Sequence, residues 1–131
     1  MRITAGGVIV KAGRILMGLR RAEGSYYSGC WDIFGGHCEV GETPEETLRR
    51  EFQEELGITP EKISFLGVYD EPHPELYGEG KHYIFVVSEW SGELRNLGIE
   101  HEDIRWFTWE DIKNVKLASE AYLELFKPLL F

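Results

Sequence analysis

The stretch Gly36–Ile58 reads GHCEVGETPEETLRREFQEELGI and marks its own boundaries. Thr43 stands as an N-cap, Pro44 takes the first helical position, and Glu46 follows Thr43 by three residues as the reciprocal half of a capping box. Leu48, Phe52 and Leu56 then recur at i, i+4 and i+8 as a buried stripe, and Gly57 ends the helix. Three carboxylates, Glu51, Glu54 and Glu55, fall in its second half, beside the negative end of the macrodipole. At about 100° per residue they point into one sector next to the apolar stripe. Exposed like charges four apart cost a few tenths of a kcal/mol, but at ~6 Å and an effective dielectric of ~20 the repulsion approaches roughly 3 kcal/mol. One reading is a solvated acidic face, partly offset by Arg49 and Arg50. The other is a site for a hard divalent cation, which takes carboxylate oxygens and turns repulsion into coordination.

Outward from this helix the chain alternates short β-type runs with turns. Arg2 to Lys11 and Arg14 to Arg20 flank Ala12-Gly13 and predict a hairpin. A loop, AEGSYYSG, leads to Trp31-Asp32-Ile33-Phe34 and then Gly35-Gly36, where the backbone can turn tightly or approach a ligand. Ile63 to Tyr69, His82 to Val87 and Ile104 to Trp109 are strand candidates by their β-branched and aromatic content. The intervening EPHPELYGEGK is expected to be an exposed loop. Ala118, Tyr122, Leu125, Phe126 and Leu129 stand at helical spacing near the end. Strands mixed with two such helices predict an α/β chain with helices on both faces of a mixed sheet.

The 131 residues, 43% of them hydrophobic, fit a single domain over 1–131. A formal charge of −9 argues against gripping duplex nucleic acid, which needs a surplus of Lys and Arg to neutralise phosphate. An anionic small molecule remains open if a cation mediates. No run approaches the ~18 apolar residues of a membrane span. The start, MRITAGGVIVKAGR, lacks a secretory pattern. A cytoplasmic protein with Cys30 and Cys38 reduced is the expectation.

Gly36, Glu42, Arg50, Glu51, Phe52, Glu54, Glu55, Gly57 and Ile58 match G-x5-E-x7-R-E-U-x-E-E-x-G-U, U being bulky and apolar, and so the stretch resembles the box of the Nudix hydrolases. Chance would produce this pattern in a chain this long on the order of once in ten million. Trp31 to Gly36 is similar to the family's strand entering the box, and Glu100 to Phe107 to its late acidic loop and strand. The resemblance implies a Nudix fold, an α/β/α sandwich with a central mixed β-sheet, that hydrolyses a nucleoside diphosphate linked to another group. It implies that Glu51, Glu54 and Glu55, with Glu100 and the Gly36 carbonyl, hold Mg2+ or Mn2+, and that Glu51 or Glu100 orients or deprotonates the attacking water. Arg50 and Glu42 would brace the loop against the helix, with Gly57 closing it. An acidic protein can recruit a polyphosphate as its metal complex.

Arg20 and Arg21, near the glycine-rich turn, are candidates for phosphate contacts, with a pair of solvated charges as the alternative. Phe34, where members often have proline, would shape the pocket wall beside Gly35. Tyr26, Tyr27, Phe34, Tyr69, Tyr77 and Tyr83 could each stack on a base, though aromatics at strand spacing are more often core. His37 and Cys38 occupy free positions of the box, and His73, His82 and His101 show no metal-ligand spacing with cysteines. The layout is similar to MutT-type members that cut nucleoside triphosphates, oxidised dNTPs included, to a monophosphate and pyrophosphate. Ser119, with Asn114 nearby, stands where the oxopurine-reading members hold an asparagine. Pro72 and Pro74 flank a position at which members cleaving ADP-ribose tend to carry proline. A catalytically silent nucleotide-binding module is a third reading, and because Nudix proteins often pair, a homodimer is left open.

Overall fold

The computed structural model describes residues 1–23 and 26–131. Its strands are β1 (Arg2–Lys11), β2 (Arg14–Arg20), β3 (Trp31–Asp32), β4 (Phe34–His37), β5 (Thr59–Asp70), β6 (Gly80–Ser91) and β7 (His101–Phe107). The helices are α1 (Pro44–Leu56), α2 (Pro74–Tyr77), α3 (Trp109–Lys113) and α4 (Ala121–Leu130). The expected hairpin forms around Ala12 and Gly13, both at positive φ. β1 runs parallel to β6 while the other pairings are antiparallel, so the sheet is mixed.

The path of β1 creates the space for a site. One of its neighbours is β6, along Arg2 to Ile9. It also pairs with β4 over Thr4 to Gly7 and with β2 over Ile9 to Lys11. β2 pairs with β7 from Ile15 onward, and beyond Leu16 it leaves β1 and takes β3 as its other partner. The segment 31–37 therefore passes from β2 to β1 across the split, and Gly35 permits it. A Cβ there would lie 1.9 Å from the Ala5 carbonyl oxygen.

Period-two alternation sends successive residues to two separate cores. Ala5, Ile9, Leu16, Phe85 and Val87 pack with Leu48, Phe52 and Leu56 of α1. Val8, Ile15, Met17 and Ile84 pack with Ile112, Tyr122 and Phe126 below α3 and α4. The predicted helix stripe is thus fully buried, each large side chain contributing roughly 1.5–3 kcal/mol. Gly7 lets α1 come close, since a Cβ there would meet Phe52 Cζ at 2.5 Å. The capping box of Thr43 and Glu46 is formed, and Gly57 closes α1 at φ 69°.

Three local expectations are corrected. The last strand stops at Phe107, because Thr108 caps α3 with a capping box completed by Asp111. The segment expected as a plain loop contains the turn of α2, started by Pro74. Ala118 precedes α4 and donates its backbone N–H to the Trp31 carbonyl at 2.9 Å. No helix among the described residues is long and apolar enough to cross a membrane.

Candidate active site

The three box carboxylates lie in the C-terminal half of α1, in three different environments. Glu51 is wedged against Gly36, whose absent side chain makes the room: a Cβ there would sit 2.4 Å from Glu51 Oε1. Burial raises the Glu51 pKa, opposed by Arg50, whose Nη1 donates to Oε1 at 3.0 Å. Glu54 is exposed, with Oε2 3.4 Å from the same nitrogen. Glu55 is only 5% exposed, and in its ionised form neither carboxylate oxygen has a hydrogen-bond partner, whereas the protonated carboxyl can donate to Glu100. Burial first, then the adjacent Glu100 and then Glu51, push its carboxyl up to about 10. A buried, unsatisfied carboxylate is costly to maintain without an opposite charge.

Glu100 reaches this place through the loop between β6 and β7, which caps the open end of α1. The N–H groups of Arg95, Leu97 and Gly98 donate to the carbonyls of Leu56, Glu55 and Glu55 at 3.0, 2.8 and 3.3 Å. These contacts satisfy terminal carbonyls that a helix leaves unpaired. Arg21 N–H donates to the Glu100 carbonyl at 3.0 Å, and Arg21 Nε donates to the Ile99 carbonyl. His101 begins β7, is 3% exposed, and also has an unpartnered ring nitrogen, Nε2. One oxygen each of Glu55 and Glu100 and one ring nitrogen of His101 all lie within 4.8 Å of one another. Burial lowers the His101 pKa, so the ring is neutral at neutral pH.

The expected brace is present. Arg50 Nε donates to Glu42 Oε2 at 2.8 Å and Nη2 to Glu42 Oε1 at 3.0 Å, a two-pronged pair. Arg50 Nη2 also donates to the His37 carbonyl at 3.1 Å, tying the box loop to α1. Hydrogen bonds from Arg50 hold the Glu42 carboxyl down at about 2.

From these carboxylates a cleft of about 390 Å³ runs along the split in the sheet. Gly36, Arg50, Glu51 and Glu100 line one part, and Tyr27, Tyr69, Ile84, Ala118 and Tyr122 another. Arg20 lines it and pairs with Asp32 at 3.3 Å, while Arg21 instead braces the Glu100 loop. The Phe34 ring is fully buried in the α1 core, 4.8 Å from the His101 ring, while the residue also forms part of the cleft wall beside Gly35. Gly35 contributes backbone to the cleft wall. Tyr83 faces the α1 core and a separate shallow groove beside Cys38 and Pro44. Tyr26 lines the cleft mouth, with the Arg2 guanidinium 4.7 Å from its ring centroid. Ser119 is buried, and Asn114 caps α3 outside the cleft.

Sequence reasoning missed the polar residues of the inner cleft. Asp32 Oδ1 accepts from the Tyr122 hydroxyl and from Ile33 N–H. Fully buried Glu71 accepts from Arg2 at 2.8 Å, His82 at 3.1 Å and the Tyr27 hydroxyl. His82 also bonds Thr4 at 2.5 Å. The partners lie far apart along the chain, so no spacing could reveal them.

A divalent cation fits the carboxylate end on the structure's own terms. Glu55 offers two buried, unpaired oxygens, and Glu51, Glu54 and Glu100 add oxygens of the kind hard cations prefer.

Comparison with known proteins agrees with this geometry. The family described as NUDIX domain matches residues 1–127. The chain is 34% identical over 122 residues to an ADP-ribose pyrophosphatase of Methanocaldococcus jannaschii, covering 93% of this chain and 70% of that protein. It is 33% identical over 97 residues to an 8-oxo-dGTP diphosphatase of Proteus vulgaris, covering 72% and 81%. The crystal structure of a MutT NUDIX hydrolase from Burkholderia pseudomallei superposes with a TM-score of 0.84 at 31% identity, covering 95% of this chain and 96% of that one. A complete carboxylate box on an α/β sandwich, matched over nearly the whole length, places the chain in the Nudix family of pyrophosphohydrolases.

Proposed function

We propose that this protein hydrolyses the α–β anhydride of a nucleoside triphosphate to a nucleoside monophosphate and pyrophosphate. The observation that carries the reading is the buried Glu55 carboxyl set behind Glu51 and Glu100, which line one part of a cleft whose other part is lined by tyrosines. Glu51, Glu54, Glu55, Glu100 and the Gly36 carbonyl would hold Mg2+ or Mn2+. When bound, the ion neutralises non-bridging phosphate oxygens and lowers the pKa of a coordinated water. Arg50 occupies Glu51 Oε1, which leaves Oε2 to take the proton of the attacking water. Tyr69 and Tyr122 offer a wall for one nucleobase, and Arg20 a cation toward the phosphates.

A second reading, the same chemistry on ADP-ribose or another nucleoside diphosphate derivative, is favoured by the M. jannaschii relative, which matches over most of this chain. A panel of nucleoside triphosphates, oxidised deoxynucleotides and ADP-ribose, assayed with Mg2+ and with products resolved, separates the two. Pyrophosphate with a monophosphate supports the first, a monophosphate with a sugar phosphate supports the second, and no turnover on any member overturns both.

A further inference from the structure

We infer that His101 supplies a nitrogen ligand to a cation shared with Glu55 and Glu100, which makes one position of the metal site mixed nitrogen and oxygen in character. The inference rests on the reading of the carboxylates as a metal site, and it adds a residue outside the box.

Three observations meet at this place. A ring nitrogen of His101 and one oxygen each of Glu55 and Glu100 lie within 4.8 Å of one another. Donors held about 2.1–2.2 Å from one ion are roughly 3–4.4 Å apart, so small side-chain rotations suffice. His101 and Glu55 are each more than nine-tenths buried, and His101 Nε2 and both Glu55 oxygens lack hydrogen-bond partners. Native structures rarely leave buried polar atoms unsatisfied, and an ion among these three groups accounts for the unpaired carboxylate.

The ring is also held in place. A Cβ at Gly18 would lie 2.5 Å from His101 Cδ2 and 2.7 Å from Cγ, so the imidazole rests directly on that glycine. Phe34 packs from another side at 4.8 Å between centroids. Asn96 Nδ2 donates to the His101 carbonyl at 3.0 Å, fixing the start of β7. An imidazole nitrogen suits Fe2+, Co2+, Ni2+ and Zn2+ better than Mg2+, whose preferred partners are oxygens, with Mn2+ at the weak end of that transition series. The chemical consequence is a preference for transition ions at this position, alongside oxygen-only ligation at Glu51 and Glu54.

The test is pulsed electron paramagnetic resonance of Mn2+ bound to the full chain, together with calorimetric titration of Mn2+ and Mg2+. Nitrogen hyperfine coupling is expected in the unmutated protein and in His37→Gln, a control histidine that lines the cleft, and is expected to vanish in His101→Gln. His101→Gln is expected to lose about tenfold or more in Mn2+ affinity, with a much smaller change for Mg2+. Gly18→Ala, which pushes the ring aside, is expected to weaken the coupling. Bound Mn2+ with no nitrogen coupling in the unmutated protein overturns the assignment of His101 and leaves the carboxylate site standing. Failure of Mn2+ and Mg2+ to bind at all overturns both readings.

Discussion

Replacing Glu55 by glutamine should damage catalysis and at the same time stabilise the metal-free fold. The Glu55 carboxyl is pushed up to about 10 from an ordinary 4.5, by burial first and by Glu100 next. The metal-free folded chain therefore holds a proton that the unfolded chain releases. Stability is complete below about pH 4.5 and falls as pH rises toward 10. At pH 7 the loss is about 3 kcal/mol, at about 1.4 kcal/mol per pH unit above 4.5. Glu55→Gln removes the titration while keeping the shape. In chelator at pH 7 the variant should be more stable by about 2–3 kcal/mol, or roughly 10 °C in Tm for a domain of this size. Near pH 4.5 the difference should vanish. Saturating Mg2+ should close that gap, because binding at about a hundred times Kd adds about 2.7 kcal/mol to a protein that retains the ligand, and should reverse the order at about a thousand times Kd, where the gain is about 4.1 kcal/mol. Thermal unfolding of both proteins from pH 4.5 to 8.5, with chelator and with Mg2+, measures every arm. A variant no more stable than the parent at pH 7 to 8 in chelator would refute the reasoning.

Other expectations follow from single contacts. Gly36→Ala places a Cβ 2.4 Å from Glu51 Oε1, and the displaced carboxylate should cost on the order of a hundredfold in kcat, read by steady-state kinetics. Arg50→Lys loses the two-pronged pair with Glu42 and should reduce metal affinity by about tenfold or more, read by Mg2+ titration of the rate. Glu71→Ala removes the acceptor shared by Arg2, His82 and Tyr27 in the inner cleft, and should lower stability by about 2–4 kcal/mol in urea denaturation. Tyr122→Phe leaves Asp32 without its hydroxyl donor, and should raise KM for the nucleotide more than it lowers kcat.

Much of this molecule is legible from short-range signals. The α1 helix declares both ends, because Thr43, Pro44, Glu46 and Gly57 each do a job that few other residue types can do. The hairpin at Ala12-Gly13 is equally local. The full length of β5 is harder to read. Its first residues, Thr59 to Lys62, are polar or proline and lie on an edge of the sheet, where β propensity is not needed, and the strand is bulged near Pro60 and Phe65. The signal for α3 was present in Thr108 to Asp111, but the aromatic run ending at Trp109 reads as strand unless the cap is given priority.

The site divides the same way. Four of its carboxylates, and the Arg50–Glu42 brace, are legible through the resemblance of the box and the acidic loop to the family pattern. His101 is not, because its role depends on a loop folding back onto the end of α1. Arg2, Glu71 and His82 meet only when β1, the turn after β5 and β6 assemble, and Asp32 meets Tyr122 only when β3 and α4 do. The fate of Phe34 illustrates the converse. An aromatic beside two glycines suggests a ligand platform, yet strand alternation turns its ring into the α1 core.

In the proposed function this acidic cluster works by holding a divalent cation. The most direct test of this is the rate of pyrophosphate release from a nucleoside triphosphate by chelator-treated protein, measured before and after Mg2+ is restored. The rate should fall to background and return in full with the ion; a rate undiminished by thorough chelation would contradict the account.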